Sequence, residues 1–139
     1  MSKIALGTVQ FGIDYGINSE NRQVRPEEVR SILNYAHSQN IDLLDTAPAY
    51  GNSEKVLGEA NVQNFKVVTK TRHFDNAEIS NDDIDLLKKD FSCSRVDLRQ
   101  ESFYGVLVHD ASDLLKPGSK KLFHQLENLK QAEKIKKIG

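Results

Sequence analysis

The chain has 139 residues, of which 38% are hydrophobic and 28% charged, a composition typical of one soluble globular domain with a packed core. Its 19 basic and 20 acidic side chains nearly cancel, so charge predicts neither a nucleic acid nor an anionic membrane as a partner. There is no apolar run near the roughly 20 residues of a membrane span, no signal-peptide core at the start and a single cysteine, Cys93, so we expect a reduced, cytoplasmic protein.

The first predicted elements are a strand, a helix and a second strand. Residues 4–6 form a short apolar run closed by Gly7, which predicts a strand. Pro26 opens the helix, because the first helical position needs no backbone N–H. Apolar side chains at helical spacing mark the buried face of this helix, at Val29, Ile32, Leu33 and Ala36. Residues 41–44 form the second strand, which ends at Asp45.

The middle of the chain repeats this order. Either Asn52 or Ser53 is predicted to cap a short helix. Residues 65–68 form the third strand, whose polar end is Lys70, and Asn81 is predicted to cap a longer helix. The apolar residues of that helix fall on one side, at Ile84, Leu87, Phe91 and Leu98.

The last elements complete an alternating pattern. Residues 105–108 form a fourth strand ending at His109, a helix follows Pro117 and Gly118, and residues 135–138 begin a fifth strand. Strands therefore alternate with helices at intervals of roughly 30 residues, which indicates βα units and a parallel sheet. A doubly wound sheet and a (β/α)8 barrel both fit this pattern, and spacing alone does not separate them.

Three predicted strands end on an ionisable residue, Asp45, Lys70 or His109, and Tyr50 lies in the loop just after Asp45. Reactive groups of parallel α/β folds gather at the carboxyl ends of strands, so we expect these four side chains to converge. Taken alone, each has a structural interpretation: a turn cap for Asp45, ring packing for Tyr50, a solvated Lys70 and a hydrogen-bonded His109. All four of these structural interpretations would have to hold at once, and at equivalent strand ends. A shared catalytic role is therefore the favoured interpretation.

No other motif predicts a site. The glycines of residues 7–12 do not follow the G-x-G-x-x-G spacing of dinucleotide-binding loops. The histidines at 37, 73 and 124 share no metal-ligand spacing with Cys93, so no metal site is predicted. The lysines after residue 129 are typical of a solvated helix end.

Several segments resemble one known family. Residues 43–54 (LLDTAPAYGNSE), followed by Leu57-Gly58, closely resemble the signature of the aldo/keto reductases. Residues 67–70 (VVTK) and 106–110 (VLVHD) resemble two later segments of the same family. The opening LGTVQFG is similar to the bacterial branch that is often found among sugar and cell-surface polysaccharide genes.

This resemblance implies a (β/α)8 barrel and a role for each strand-end residue. The family's catalytic tetrad maps onto Asp45, Tyr50, Lys70 and His109. Tyr50 would give a proton to the substrate oxygen, and the Lys70 ammonium would stabilise the phenolate that remains. Asp45 would hold Lys70 in place, and His109 would donate a hydrogen bond that orients the substrate oxygen. The sequence departs from the family at Glu133, where members usually carry a glycine that ends the helix before strand five.

The resemblance also implies NADPH as the cofactor and a small carbonyl compound as the substrate. The implied reaction is the NADP(H)-dependent reduction of an aldehyde or ketone, sugar-derived compounds included, to an alcohol. Gly7, Thr8, Val9 and Asp45 would contact the nicotinamide side of the cofactor. Phosphate sites of such barrels commonly use the loops after strands seven and eight, so most of the cofactor site is expected outside these residues.

A complete barrel of this kind needs about 250 residues or more. We therefore expect residues 1–139 to be a truncated N-terminal half, with about four βα units and the start of a fifth strand. Its expected partner is a second copy or a complementary C-terminal half. Two alternatives to an enzyme stay open, a non-catalytic binding or regulatory protein on a reductase scaffold and an inactive fragment. The intact tetrad favours an enzyme over a pure binder, whereas the missing half favours an inactive fragment.

Overall fold

The structure is a computed structural model that describes residues 4–17 and 22–139; residues 1–3 and 18–21 lie outside the described part. The strands are β1 (Leu6–Gly7), β2 (Leu43–Asp45), β3 (Lys66–Lys70), β4 (Phe103–Leu107) and β5 (Ile135–Ile138). The helices are α1 (Val9–Gly12), α2 (Pro26–Ser38), α3 (Ser53–Glu59), α4 (Asn81–Leu98) and α5 (Ser119–Gln131), with a 3-10 helix at Ala111–Leu115.

The five strands form one parallel sheet in the order β1-β2-β3-β4-β5. Each strand pairs with the next one along the chain, and the strand order never reverses. A doubly wound sheet reverses its order at a switch point, whereas a barrel adds each strand beside its predecessor. The observed order therefore confirms the predicted α/β fold and is that of a barrel wall.

The two faces of the sheet differ in burial. Side chains of a strand alternate between faces, and Leu44, Val67 and Thr69 are buried whereas Asp45 and Lys70 stay partly exposed. The buried face packs against apolar side chains of the flanking helices, among them Val29, Leu33, Leu57, Leu87, Leu98, Leu122 and Leu126. The ionisable strand-end residues consequently lie on the face that the helices leave open.

Strand bounds differ from the sequence prediction by a few residues. The first strand is Leu6–Gly7 rather than 4–6, and the fourth is Phe103–Leu107 rather than 105–108. Pairing decides these limits: the Phe103 N–H donates to the Lys134 carbonyl oxygen at 2.9 Å, so β4 joins β5 before its apolar run begins. The fifth strand has the predicted bounds.

One of the two predicted helix caps was wrong. Ser80, not Asn81, caps α4: its hydroxyl accepts from the Asp83 N–H while the Asp83 carboxylate accepts from the Ser80 N–H. This reciprocal pair satisfies two free donors at the helix start. Asn52, one of the two candidates, is the N-cap of α3, but its side chain makes no capping hydrogen bond, and the Ser53 hydroxyl bonds elsewhere.

None of the helices in the described part of the chain combines the length and the apolar content that crossing a membrane requires.

The backbone conformation at the end of α5 explains why a glycine is expected at the position that Glu133 occupies. Glu133 has φ 56, in the left-handed region that L side chains disfavour. Its N–H donates to the Lys130 carbonyl oxygen, and the Lys134 N–H donates to the Leu129 carbonyl oxygen at 2.9 Å. This is a Schellman arrangement, in which glycine is usual at the left-handed position. Glu133 keeps the arrangement at a cost in backbone energy.

We expect Glu133→Gly to raise the free energy of unfolding by about 1 kcal/mol, because glycine adopts positive φ without the steric penalty. Urea unfolding followed by circular dichroism measures the change. Glu133→Ala is the control: it removes the carboxylate at a helix C-terminus but keeps the strained backbone, so it should recover little. An equal gain in both variants would show that charge, not backbone strain, limits stability here.

Candidate active site

The parallel ladder of hydrogen bonds continues one residue past the strand ends. In each case a backbone N–H just beyond one strand donates to a carbonyl oxygen at or near the end of the neighbouring strand, or just after it, at distances from 2.7 to 3.0 Å. These donor–acceptor pairs are Thr8–Asp45, Thr46–Val68, Thr71–Leu107 and Val108–Gly139. The carboxyl ends of all five strands are thereby fixed relative to one another, and the loops leave the sheet from a defined edge.

An ion pair joins two of these strand ends. The Lys70 ammonium, at the end of β3, contacts the Asp45 carboxylate at the end of β2, and it also donates to the Thr46 carbonyl oxygen at 3.0 Å. The Lys70 side chain is only 12% exposed and that of Asp45 is 37% exposed. A long, flexible cation is therefore held at one point of the edge by two oxygen acceptors.

Tyr50 lies over this ammonium. Its ring centroid is 4.8 Å from Lys70 Nζ, within the range of a cation–π contact. The same ring meets the His109 ring edge to face, with centroids 6.2 Å apart and planes at 80°. Within residues 4–17 and 22–139 the Tyr50 hydroxyl has no hydrogen-bond partner, so its proton is not committed to the fold.

A glycine in α1 sets the position of the Tyr50 loop. A Cβ at Gly12 would lie 1.7 Å from the Tyr50 carbonyl oxygen, so only glycine allows α1 to approach this closely. Gly51, the next residue of the loop, has φ 60 and turns the chain into α3. No role was predicted for Gly12, whose place among the glycines of residues 7–12 was the one available signal in the sequence.

Buried hydroxyl groups support the loop from below. Thr8, Thr46 and Ser53 are fully buried. The Thr8 hydroxyl donates to the Asp45 carbonyl oxygen at 2.9 Å, and the Ser53 hydroxyl donates to the Thr8 carbonyl oxygen at 2.9 Å. These bonds satisfy polar groups away from water and tie β1, β2 and the start of α3 together. Thr8 uses its hydroxyl within the fold, while its neighbours Gly7 and Val9 are exposed and half-buried respectively.

His109 reaches the same edge from β4. Its backbone N–H donates to the Thr71 hydroxyl at 3.1 Å, which fixes its place beside β3. Burial lowers the pKa of the His109 imidazole, and the neighbouring His73 and Lys70 lower it further. Its Nδ1 is buried without a hydrogen-bond partner in the described part of the chain. The lowered pKa favours the neutral ring, which carries a single N–H.

All four residues predicted from the strand ends, Asp45, Tyr50, Lys70 and His109, thus lie together at the carboxyl edge of the sheet. The predicted convergence is confirmed as geometry. Sequence reasoning missed one further ring at this edge, because His73 lies in a loop without any periodic pattern.

Comparison with known proteins identifies the family of the chain. Residues 3–139 match the model of the Aldo/keto reductase family. The chain belongs to the aldo/keto reductase family. No protein of curated function matches it.

Solved aldo/keto reductases share the fold over about half of their length. A putative aldo-keto reductase from Pseudomonas aeruginosa is 27% identical with a TM-score of 0.79, covering 97% of this chain and 53% of its own. The holo form of AKR11C1 from Bacillus halodurans is 18% identical with a TM-score of 0.71, covering 99% and 45%. The glycerol dehydrogenase AKR11B4 from Gluconobacter oxydans is 24% identical with a TM-score of 0.69, covering 97% and 43%. The chain therefore spans about half the length of the aldo/keto reductase structures that it matches.

A buried carboxyl group lies beneath the site of this aldo/keto reductase chain. Glu54 of α3 is 5% exposed and accepts hydrogen bonds from the Thr69 hydroxyl at 2.6 Å and the Ser94 hydroxyl at 2.7 Å. It links α3 to β3, next to Lys70, and to α4. Burial raises the pKa of Glu54 above its ordinary value, although these two hydrogen bonds act in the opposite direction.

A raised pKa makes the folded state bind this proton more tightly than the unfolded chain does. The contribution of Glu54 to stability is therefore complete below its ordinary pKa of 4.5 and is lost as pH rises through the higher folded value. Glu54→Gln removes this titration but keeps a carbonyl acceptor. We expect the variant to gain stability relative to the wild type as pH rises from 5 to 8, by about 1 kcal/mol.

Urea unfolding at several pH values measures this difference. The matched control is Glu59→Gln, an exposed position on the same helix, whose stability should run parallel to that of the wild type. Parallel curves for Glu54→Gln as well would mean that Glu54 is not the group that limits stability at neutral pH.

Proposed function

We propose that this chain forms the catalytic edge of an NADP(H)-dependent reductase that converts an aldehyde or ketone to an alcohol. The observation that carries the proposal is the single cluster in which Lys70 pairs with Asp45 and lies 4.8 Å from the centre of the Tyr50 ring. A binding protein gains nothing from a cation fixed under an uncommitted phenol, whereas carbonyl reduction needs that pair.

Tyr50 is the proposed proton donor. Reduction leaves negative charge on the former carbonyl oxygen, and a positioned acid that neutralises this charge speeds the reaction. The Tyr50 hydroxyl has no competing partner in residues 4–17 and 22–139, so it is available to a substrate oxygen. Loss of its proton leaves a phenolate, which the neighbouring Lys70 ammonium stabilises by Coulomb attraction.

Asp45 and His109 complete the group. Asp45 keeps the Lys70 ammonium beneath the ring, because an exposed lysine would otherwise sample many rotamers. The His109 ring, 6.2 Å from that of Tyr50, offers one N–H to the same substrate oxygen. Because the pKa of His109 is lowered, the ring orients the oxygen as a neutral donor and leaves proton transfer to Tyr50.

The strand-end surface fits the nicotinamide side of NADPH, which supplies the hydride when bound. Gly7 is exposed, and a Cβ built there would meet no atom within 4 Å, so a flat ring has room beside β1. Val9 and the partly exposed Asp45 carboxylate flank this surface. Thr8 contributes through the backbone shape of the loop, since its hydroxyl is bonded to the Asp45 carbonyl oxygen.

We expect Tyr50→Phe to lower the rate of carbonyl reduction by about 10²-fold or more, the usual scale for losing a positioned acid. The assay uses a complete barrel in which residues 1–139 are joined to the complementary half of the Pseudomonas aeruginosa protein, with NADPH oxidation followed by absorbance. NADPH affinity should change little, because the hydroxyl faces the substrate. Tyr35→Phe, on the exposed side of α2, is the matched control. Full turnover by Tyr50→Phe would remove the proposed proton donor.

The 139-residue polypeptide assayed by itself is expected to oxidise no NADPH with any aldehyde. Barrel phosphate sites use loops after strands seven and eight, and the described sheet contains the five strands β1 to β5. Isothermal titration calorimetry should detect weak NADPH binding at most. Micromolar affinity together with turnover would show that these five strands suffice to hold the cofactor.

A further inference from the structure

His73 lies between two residues that are each anchored to another element of the fold. The preceding residue, Arg72, pairs with Asp90 of α4 at 2.7 Å. The following residue, Phe74, is buried in the core, and its carbonyl oxygen accepts a hydrogen bond from Lys116. The loop after β3 is thus anchored to α4 and to the segment before α5, and the His73 side chain between the two anchors is exposed.

From this position the His73 ring lies against the His109 ring. The ring centroids are 4.0 Å apart and the planes are tilted by 44°. Tyr50 also contacts this ring, edge to face with centroids 6.2 Å apart. His109 therefore contacts two aromatic rings, and its Nδ1 is buried and unbonded among the described residues.

We propose that His73 is a positioning residue for His109. Its ring fixes the orientation of the His109 ring, and a positive charge on one of the two rings opposes protonation of the other. Two imidazolium rings at this separation repel each other, and a proton on both would also leave a buried N–H without an acceptor. Burial of His109 lowers its pKa in the same direction, so the contact helps to keep the His109 ring neutral as pH falls.

The other charged groups around His109 leave this role to His73. Lys70, from β3, adds a second positive charge that acts in the same direction. Asp110 would favour a proton on His109, but its carboxylate accepts from the Ser112 N–H at 2.9 Å and caps the 3-10 helix. Tyr50 presents its ring to His109. The consequence, which rests on the proposed function, is that His109, the hydrogen-bond donor to the substrate carbonyl oxygen, stays uncharged in mildly acidic conditions.

The test measures the titration of each histidine in the 139-residue chain by hydrogen exchange at the imidazole C2 position, read by mass spectrometry from pH 4 to 9. His73→Phe keeps an aromatic ring against His109 but removes its charge, and His73→Ala removes both. The control is His37→Phe, because His37 contacts Phe65 just before β3, at the opposite end of the sheet. Both positions, 73 and 37, are exposed, and the substitutions spare the core.

We expect the pKa of His109 to rise by about 0.5–1 unit in His73→Phe and at least as much in His73→Ala, the scale of one unit charge at 4 Å near water. His37→Phe should leave it unchanged. An unchanged His109 titration in both His73 variants overturns the proposal. This measurement needs no turnover, so it stands or fails separately from the reductase activity.

A second measurement links the pair to the reaction. In the complete barrel described above, the acidic limb of the pH–rate profile should move to higher pH in His73→Phe, by the same amount as the pKa of His109. A titration shift without a shift of that limb would overturn the positioning role. If the complete barrel with His73 unchanged is inactive at every pH, the proposed function is refuted. The titration of the 139-residue chain would still decide the coupling between the two rings.

Discussion

Hydrogen bonds between the backbones of neighbouring parallel strands, continued one residue beyond the strand ends, are the constraint on which the site depends. The Thr46 N–H reaches the Val68 carbonyl oxygen at 2.9 Å and the Thr71 N–H reaches that of Leu107 at 2.9 Å. Because these bonds set the relative height of the strands, Lys70 and Asp45 end on the same face within ion-pair distance. A shift of one residue in the β2–β3 pairing would turn one of these two side chains to the helix-covered face.

Precision at this edge then comes from small buried groups. Gly12 lets α1 touch the backbone of Tyr50, and the hydroxyls of Thr8 and Ser53 satisfy carbonyl oxygens that the loops leave inside the fold. Glu54 joins three elements under the site through the hydroxyls of β3 and α4. Hydroxyl groups suit this task because each can donate and accept in a space too small for longer polar side chains.

The periodic patterns and the strand ends predicted most of the fold and the convergence of four site residues. Spacing alone did not give the strand order, because a spacing of βα units is the same in a doubly wound sheet and in a barrel; the barrel was predicted from the family resemblance. Local competition explains other differences: Ser80 rather than Asn81 caps α4 because Asp83 can return the bond. The short helices α1 and Ala111–Leu115 contain too few residues to show a helical period. His73 meets His109 only because Arg72 and Phe74 are anchored to distant elements, which no local pattern reveals.

The order of the sheet has a consequence for how the chain folds. Since each strand pairs with its immediate successor, every new pairing closes only one βα crossover, and the loop-closure entropy of each step is small. The chain can therefore acquire its structure progressively, each βα unit docking on a surface already formed by the units before it. During synthesis this allows folding to keep pace with elongation from the amino end, which shortens the time for which apolar strand faces are exposed to aggregation.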